Sequence, residues 1–579
     1  MTELAESAKH DWFTNNRFGM FVHWGLFSQT EGYWKGNPYF GAVEYLAQVL
    51  RVPNREYRAL ADNFNPRQFD ARAWARSARE AGFRYVVITA KHHEGFAMFK
   101  SRDPFNIVDS TPFARDPIAA LAESLRAEGL RIGFYYSQFL DWHDPDAAGN
   151  DWDFPIEGRH FEEYMERKAL PQIEELLTNY GRIDLLWYDI PGTITPEQSA
   201  RFVKFARDLQ PEILINSRIG NGLGDFETFG DNELPPSGSV EKPWEAIFTH
   251  NHSWGYTAHD RTHRSHRELL ELLATTVSRG GNCMINVGPT PSGQFPEATA
   301  ADFARIGGWM AVNQESVYGA GSANLPAVPW GVITARPGRA YLHILRWPQD
   351  GRLLLPASGG LRVTGARSLL TQRKIDLTVD GDDLWLDIGD PMASVGHEVL
   401  EVEVELPAAQ ISPRLAITAG NQAIRLEPAD AILGPNVRHR RVSGWSYFAR
   451  TNYVSSLSGL RTADDWVAWE VQFTVPGTYW IDIEYAADRA QADRVANLTV
   501  AGETFPISVL ETGDVDPYRV TPFTRQPIGR VTIDQPGIQR IELRPRQSVA
   551  GGYQLTRRPA HLDAELFTFR AMSISRMED

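Results

Sequence analysis

"RIDLLWYDIPG", residues 182–192, is a short apolar run that closes on a carboxylate and then breaks at Pro191-Gly192. Its length and its Leu-Leu-Trp-Tyr centre read as a buried strand, and the Pro-Gly break ends it. An unpaired carboxylate entering an apolar interior is costly, so Asp189 needs a partner or a task. The same pattern recurs on both sides of this run. The apolar stretches "FGMFVHWG", "RYVVITAKHH", "RIGFYYS", "DLLWYD", "ILINSR", "EAIFTHN" and "NCMINVGP" alternate with amphipathic helical patterns over the first 320 or so residues. Those patterns include "DARAWARSAREAG", "DPIAALAESLRAEG", "FEEYMERKALPQIEELLTNYG" and "HRELLELLATTVSRGG", several of them ending in the Gly that a helix C-terminus favours. Near-continuous apolar strands separated by helices indicate a parallel sheet covered on both faces. A doubly wound sheet and a (β/α)8 barrel both fit. No Gly-rich phosphate loop follows the first strand, which weighs against a nucleotide fold. Instead, strand after strand ends in a polar or aromatic group: His23, His92 and His93, Tyr135, Asp189, Arg218. Barrels build their active sites at those carboxyl ends. The expected fold is therefore α/β, a (β/α)8-like (TIM) barrel over residues 1–325, with seven clear strands and an eighth not located.

Past "VNQESVYGAG" the pattern changes to short alternating strands such as "YLHILRW", "LWLDIG" and "HEVLEVEVEL". Residues 326–408 are expected to form one β-sandwich and 409–579 a second, possible sugar-binding one, joined by the Pro-containing link "LPAAQISP". At 579 residues, two or three domains are the natural division. A net charge of −15 argues against a nucleic-acid partner, since no basic stripe meets phosphates. The single cysteine, Cys283, excludes an internal disulfide and a Cys-rich zinc site. No run of about 18 apolar residues suggests a membrane span. The opening "MTELAESAKHDWF" lacks the features of a secretory signal, so the expected location is cytoplasmic, or periplasmic or secreted if a signal was removed. Seventeen Trp fit sugar stacking and fit large cores equally well. Oligomeric state is not written in the sequence.

Five consecutive strands converging polar groups at one rim are hard to explain by packing alone. Histidines and an arginine there suit hydroxyl-rich substrates or a metal. The metal reading is the weaker, because "KHH" sends adjacent side chains to opposite faces of a strand. No metal and no cofactor are expected.

The residues at these strand ends resemble, in order over about 310 residues, the motifs of α-L-fucosidases of glycoside hydrolase family 29: "FGMFVHWG", "YVVITAKHHEGFAMFKS", "LRIGFYYSQFLDWH", "LLWYD", "INSR", "WEAIFTHNHSWGY" and "RGGNCMINVGPTPSGQFP". The resemblance implies a barrel followed by a β-sandwich, and a retaining exo-glycosidase that releases terminal α-L-fucosyl groups from glycans or oligosaccharides through a covalent fucosyl-enzyme intermediate. It makes Asp189 the nucleophile. For the acid/base it points first to Glu245, in "KPWEAIFTH", with Glu233 and Asp231 of "GDFETFGDNELPP" as the other candidates. It implies that His23, Trp34, His92, His93, Tyr135, Trp187 and Arg218 line the fucose subsite, the histidines and Arg218 donating to ring hydroxyls and Trp187 packing on the sugar methyl. Three positions depart from the family pattern: Tyr33 stands where a glutamate is common in "GEW", "YDIPG" replaces an Asp-Gly ending, and "NSRIG" replaces "NDRWG". Two alternatives stay open at this point. One is a catalytically silent carbohydrate-binding barrel, and the other is a related glycosidase acting on α-L-galactosides.

Overall fold

The computed structural model describes residues 3–235, 240, 242–323, 325, 327–356, 362–380, 383–390, 397–405, 414–421, 423–443, 453–513, 521–549 and 565–577. The expected link "LPAAQISP", residues 406–413, lies outside them. The chain divides into two compact units, one formed by residues 1–232, 241–319 and 446–449, the other by 233–240, 320–445 and 450–579.

Eight parallel strands form the first unit's sheet: β1 (Phe18–Val22), β2 (Tyr85–Lys91), β3 (Arg131–Tyr136), β4 (Leu185–Tyr188), β5 (Leu214–Ile215), β6 (Glu227–Thr228), β7 (Trp244–Thr249) and β8 (Asn282–Val287). Their order in space is β5-β4-β3-β2-β1-β8-β7-β6. Seven are the apolar runs of the sequence. The eighth, β6, is two residues long in "DFETFG", too short to give any periodicity. The expectation of a closed barrel needs correction. The sheet is curled and open, its edges β5 and β6 forming no ladder and meeting through a single parallel bridge, Asn216 to Phe226. Two-residue strands carry too few backbone pairs to close a seam.

The helices cover the outer face because their apolar stripes demand it. Ala71–Ala81 starts where the Asp70 side chain accepts from the Arg72 and Ala73 amides, and stops at Gly82, whose φ of +93° suits a residue without Cβ. It packs against Pro117–Ala127 and Glu297–Asn313. "FEEYMERKALPQIEELLTNYG" forms helical turns at Phe161–Tyr164 and Leu170–Thr178, joined by a π-turn at Met165–Ala169.

Inside the curl the period-two rule sorts each strand. Phe21, Tyr85, Val87, Tyr135, Leu185, Trp187, Leu214, Ile247 and Met284 pack into one inner core. The same parity carries the inner face upward from Phe21 to His23, from Trp187 to Asp189 and from Met284 to Asn286.

The second unit holds two β-sandwiches. One pairs a five-stranded with a three-stranded sheet around a core that includes Leu342, Leu353, Leu386 and Val402. The other pairs two six-stranded sheets around Trp469, Tyr479, Ile541 and Phe569. Among the described residues no helix is long and apolar enough to cross a membrane.

Candidate active site

Asp189 follows directly on β4 and is nearly buried, its side chain 11% exposed. Its Oδ2 accepts from the Tyr135 hydroxyl at 2.9 Å, and its Oδ1 accepts from Arg218 Nη1 at 2.8 Å and from the Ile190 amide. The Asp189 amide in turn donates to Gln138 Oε1. Burial by itself would raise its pKa. The Arg218 guanidinium, with the Tyr135 hydroxyl, outweighs that and holds the carboxyl below the usual aspartate value. The turn that aims it is strained, because Ile190, a β-branched residue, sits at φ +45°.

Arg218 is a fork between two carboxylates. Its Nη1 meets Asp189, and its Nη2 meets Asp231 Oδ1 and the Phe229 carbonyl, both at 2.7 Å. Burial works against the guanidinium charge, but Asp231 and Asp189 together stabilise it. The guanidinium lies 4.9 Å above the Trp187 ring.

Three histidines surround this group, all buried. His23 Nδ1 pairs with Asn286 Oδ1 at 2.7 Å, and His93 Nδ1 with Ser137 Oγ at 2.7 Å. Asn286 offers an oxygen there, and Ser137 spends its proton on the Leu140 carbonyl. Each Nδ1 therefore carries the proton and each Nε2 is a free acceptor. Burial lowers His23 to about 3 and His93 to about 4, and it lowers His92 as well, which His93 and His23 reinforce. The rings are neutral, so His23 and His93 present Nε2 as acceptors of hydroxyl protons, where the sequence reading had them as donors. His93 Nε2 lies 3.6 Å from Asp189 Oδ2 and has no hydrogen-bond partner among the described residues. His92 stacks on Tyr135 at 5.2 Å, with its Nδ1 buried and unpartnered.

The structure thus gathers His23, His92, His93, Tyr135, Asp189 and Arg218 at one mouth. Trp187 sits beneath, 1% exposed, stacked on Tyr135 at 5.5 Å, with its indole N–H donating to Glu245 Oε1 at 3.1 Å. It is a floor for Arg218 and not an open platform for a sugar methyl. Trp34, half-buried on the hairpin Tyr33–Trp34/Asn37–Pro38, makes no ring contact with the histidines among the described residues.

Glu245 is misplaced by the sequence reading. It is the second residue of β7, paired with Asn282, the first of β8, and so lies at the amino end of the sheet. Four residues separate it from the carboxyl end of β7, about 13 Å along a strand. It is fully buried, accepts from Tyr85 at 2.5 Å and from Trp187, and burial raises it to about 7 despite both donors. No leaving group at the mouth reaches it.

Four contributors escaped the sequence reading. Trp254 packs on His23 at 5.0 Å, and Gln138 and Asn286 orient Asp189 and His23. The fourth is the pair Glu44-Tyr45. Tyr45 packs on His93 at 5.4 Å and on His92 at 6.4 Å. Glu44 is buried, accepts from the Gly255 amide, and keeps Oε1 unpartnered. Burial raises it to about 7. Tyr33, where the family pattern has a glutamate, is exposed and packs on His259.

A second buried cluster adjoins the ends of β2 and β3. Asp141 Oδ2 meets Lys91 Nζ at 3.1 Å and Lys168 Nζ at 2.9 Å, with Tyr164 bonded to Lys91 and Asp103 to Lys168. The π-turn brings Lys168 inward. A Cβ on Gly95, at φ +76°, would lie 2.0 Å from Asp141 Oδ1, which explains the glycine in "KHHEGF". The cluster locks the strand end that carries His92 and His93. Among the described residues, no three His, Cys, Asp or Glu side chains converge as a metal site.

A family model described as Alpha-L-fucosidase matches residues 1–315. The human plasma alpha-L-fucosidase is 31% identical over 372 residues, which cover 59% of this chain and 78% of that one. The alpha-L-fucosidase of Vibrio sp. strain EJY3 superposes with a TM-score of 0.78 at 27% identity, covering 99% of this chain and 98% of its own. A Bacteroides thetaiotaomicron GH29 alpha-L-fucosidase, solved as a covalent intermediate trapped with 2-fluoro-fucosyl fluoride, superposes with a TM-score of 0.64 at 29% identity, covering 69% and 96%.

Proposed function

The chain belongs to the alpha-L-fucosidase family of glycoside hydrolases, and from that premise we propose that it is a retaining exo-α-L-fucosidase acting on terminal fucosyl groups of glycans or oligosaccharides. Asp189 is its nucleophile and Asp231 its acid/base. The observation that carries this reading is the Arg218 fork, which holds the two carboxyl groups on one guanidinium. Two carboxyl groups held by the two ends of one guanidinium are close enough to suit the roughly 5 Å spacing of a retaining pair. The covalent intermediate trapped on the Bacteroides relative supports the same course.

In the first step an Asp189 oxygen attacks the anomeric carbon, the bond to the aglycone oxygen breaks, and Asp231 gives that oxygen its proton. In the second, Asp231 takes a proton from water, the water oxygen attacks the same carbon, and Asp189 is released. Asp231 must be neutral before the first step, which costs Arg218 one charged partner. The Phe229 carbonyl on the same Nη2 remains as acceptor, so the guanidinium is not orphaned. Arg218 and the Tyr135 hydroxyl keep Asp189 ionised and aimed. The imidazole Nε2 atoms of His23 and His93, with Glu44 Oε1, offer acceptors to sugar hydroxyls.

Asp189→Ala tests the nucleophile. Turnover should fall by roughly 10³-fold or more. Azide should restore part of the rate on an activated aryl fucoside, and wild-type turnover in a folded variant overturns the assignment. Asp231→Asn tests the acid. It should fail on natural oligosaccharides and lose far less on a fucosyl fluoride, which needs no protonation to depart. If Glu233→Gln shows that leaving-group dependence and Asp231→Asn does not, the acid role moves to Glu233.

A further inference from the structure

The second unit carries a cationic cleft with no assigned role. The edge strand Arg438–Ser443 pairs antiparallel with Tyr453–Ser458, and the period of two sends Arg438 and Arg440 to one face. With Arg461, which follows the second strand, they line a cleft of about 370 Å³ together with Asn436, Ser458 and Glu565. That volume falls within the range of small-ligand sites.

Charge balance makes the cleft unusual. The chain has 73 acidic against 58 basic residues, yet here three guanidiniums share one carboxylate. That carboxylate is Glu565, whose Oε1 reaches Arg461 Nη2 at 3.4 Å. Arg438 and Arg440 have no ion pair among the described residues. Asp465 is already engaged, accepting from Asn436 and from the Arg461 and Thr462 amides. Two buried atoms are left without partners: Arg440 Nη1, a donor, and Glu565 Oε2, an acceptor. An unmet buried donor and an unmet buried acceptor facing one cleft ask for a ligand that brings both an oxyanion and a hydroxyl. Burial lowers the Arg440 pKa, the direction expected of a guanidinium that lacks its anion.

We propose that this cleft binds an acidic sugar residue, its carboxylate or sulfate ester held by Arg438 and Arg440 and a ring hydroxyl donating to Glu565 Oε2. A guanidinium pair suits a planar carboxylate or a sulfate alike, by parallel N–H donors. Glu565 makes the choice between a sugar and a bare anion. Its charge repels free sulfate or phosphate, but a hydroxyl donor on the same ligand turns it into a partner. The site lies wholly in the second unit and does not depend on the roles of Asp189 or Asp231.

Calorimetric titration of the full-length protein tests it with four probes: a galacturonate trisaccharide, galactose 6-sulfate, neutral galactose and sodium sulfate. At least one acidic sugar should bind ten or more times tighter than galactose and sodium sulfate, and whichever binds names the oxyanion. Added salt should weaken it. Arg438→Glu, at an exposed position that leaves the core untouched, and Arg440→Gln should each lower that affinity tenfold or more, with turnover of an aryl fucoside unchanged. Glu565→Gln should narrow the preference over sodium sulfate. Equal binding of sodium sulfate and the acidic sugars, no binding of either acidic sugar, or indifference to Arg438→Glu overturns the proposal.

Discussion

Glu245→Gln separates the two places a carboxylate can hold in this fold. Burial lifts Glu245 from 4.5 to about 7. Between those values the unfolded chain ionises while the native chain keeps its proton. Native stability therefore falls as pH rises through this window, and the loss is complete once pH passes about 7. At about 1.4 kcal/mol per pH unit the accumulated loss is roughly 3 kcal/mol. Glutamine removes the titration and keeps a carbonyl oxygen for the Trp187 indole. The variant should match the wild type in stability near pH 4.5 and exceed it by roughly 3 kcal/mol at pH 8. Urea unfolding followed by tryptophan fluorescence, run on both proteins across that span, measures the difference. Glu44 and Glu94 are also lifted by burial, to about 7 and about 8, but they titrate equally in both proteins and cancel in the comparison. Turnover on oligosaccharides and on aryl fucosides should change little and to the same degree. A pH-independent stability difference refutes the burial argument. A selective loss on poor leaving groups would return Glu245 to the acid/base role and refute its placement at the amino end of the sheet.

His93→Ala removes a neutral acceptor beside Asp189 and should cost about 2–4 kcal/mol of transition-state stabilisation, read from kcat/KM. A chelator should leave wild-type activity unchanged, and loss restored by zinc would contradict neutral imidazoles that bind hydroxyls. Asp141→Asn leaves Lys91 and Lys168 without their shared carboxylate, and chemical unfolding should show about 3 kcal/mol or more of destabilisation. Ile190→Gly relieves a left-handed β-branched residue worth about 1–2 kcal/mol but frees the turn that aims Asp189. Stability should hold or rise while kcat falls, and unchanged kcat would show that the turn does not position the nucleophile.

What the sequence made legible follows from length and period. Seven strands are apolar runs of adequate length, and Asp189, Arg218 and the three histidines sit at or just past their carboxyl ends, where direction alone puts them at the mouth. β6 escaped because its two residues, Glu227–Thr228, lie in the polar stretch "DFETFG", whereas the equally short β5 sits inside the apolar run "ILINSR". Glu245 was drawn to the mouth by its place beside a family motif, although its position at the opening of a parallel strand already points to the opposite end. Trp187 obeys the same parity as Asp189, but parity does not say which of two inward residues is capped by the next layer; Tyr135 and Arg218 do that. Glu44-Tyr45 lie in a single 3-10 turn, Val43–Tyr45, after β1, and Trp254 in the loop after β7, both too short for a period to tie a residue to a place. The direction of the hydrogen bonds to His23 and His93 depends on Asn286 and Ser137, contacts made only in three dimensions.

The open seam between β5 and β6 has a consequence for how this catalyst can be tuned. Asp189 follows β4, one strand in from the seam, Arg218 follows the edge strand β5, and Asp231 lies just beyond β6 on the other bank. Backbone ladders fix most distances in a parallel sheet, so changing one of them means re-registering a strand and turning its side chains to the wrong face. Across the seam there are one bridge, a few hydrogen bonds made by the Ser217 and Asp225 side chains and by turn backbone, and one guanidinium. The spacing of the two carboxyl groups is therefore set by side chains, with Arg218 as the clasp between them, and not by a ladder in register. Changes in the short turns that flank Asn216 and Phe226 can widen or narrow that gap by fractions of an ångström while the inner core stays as it is.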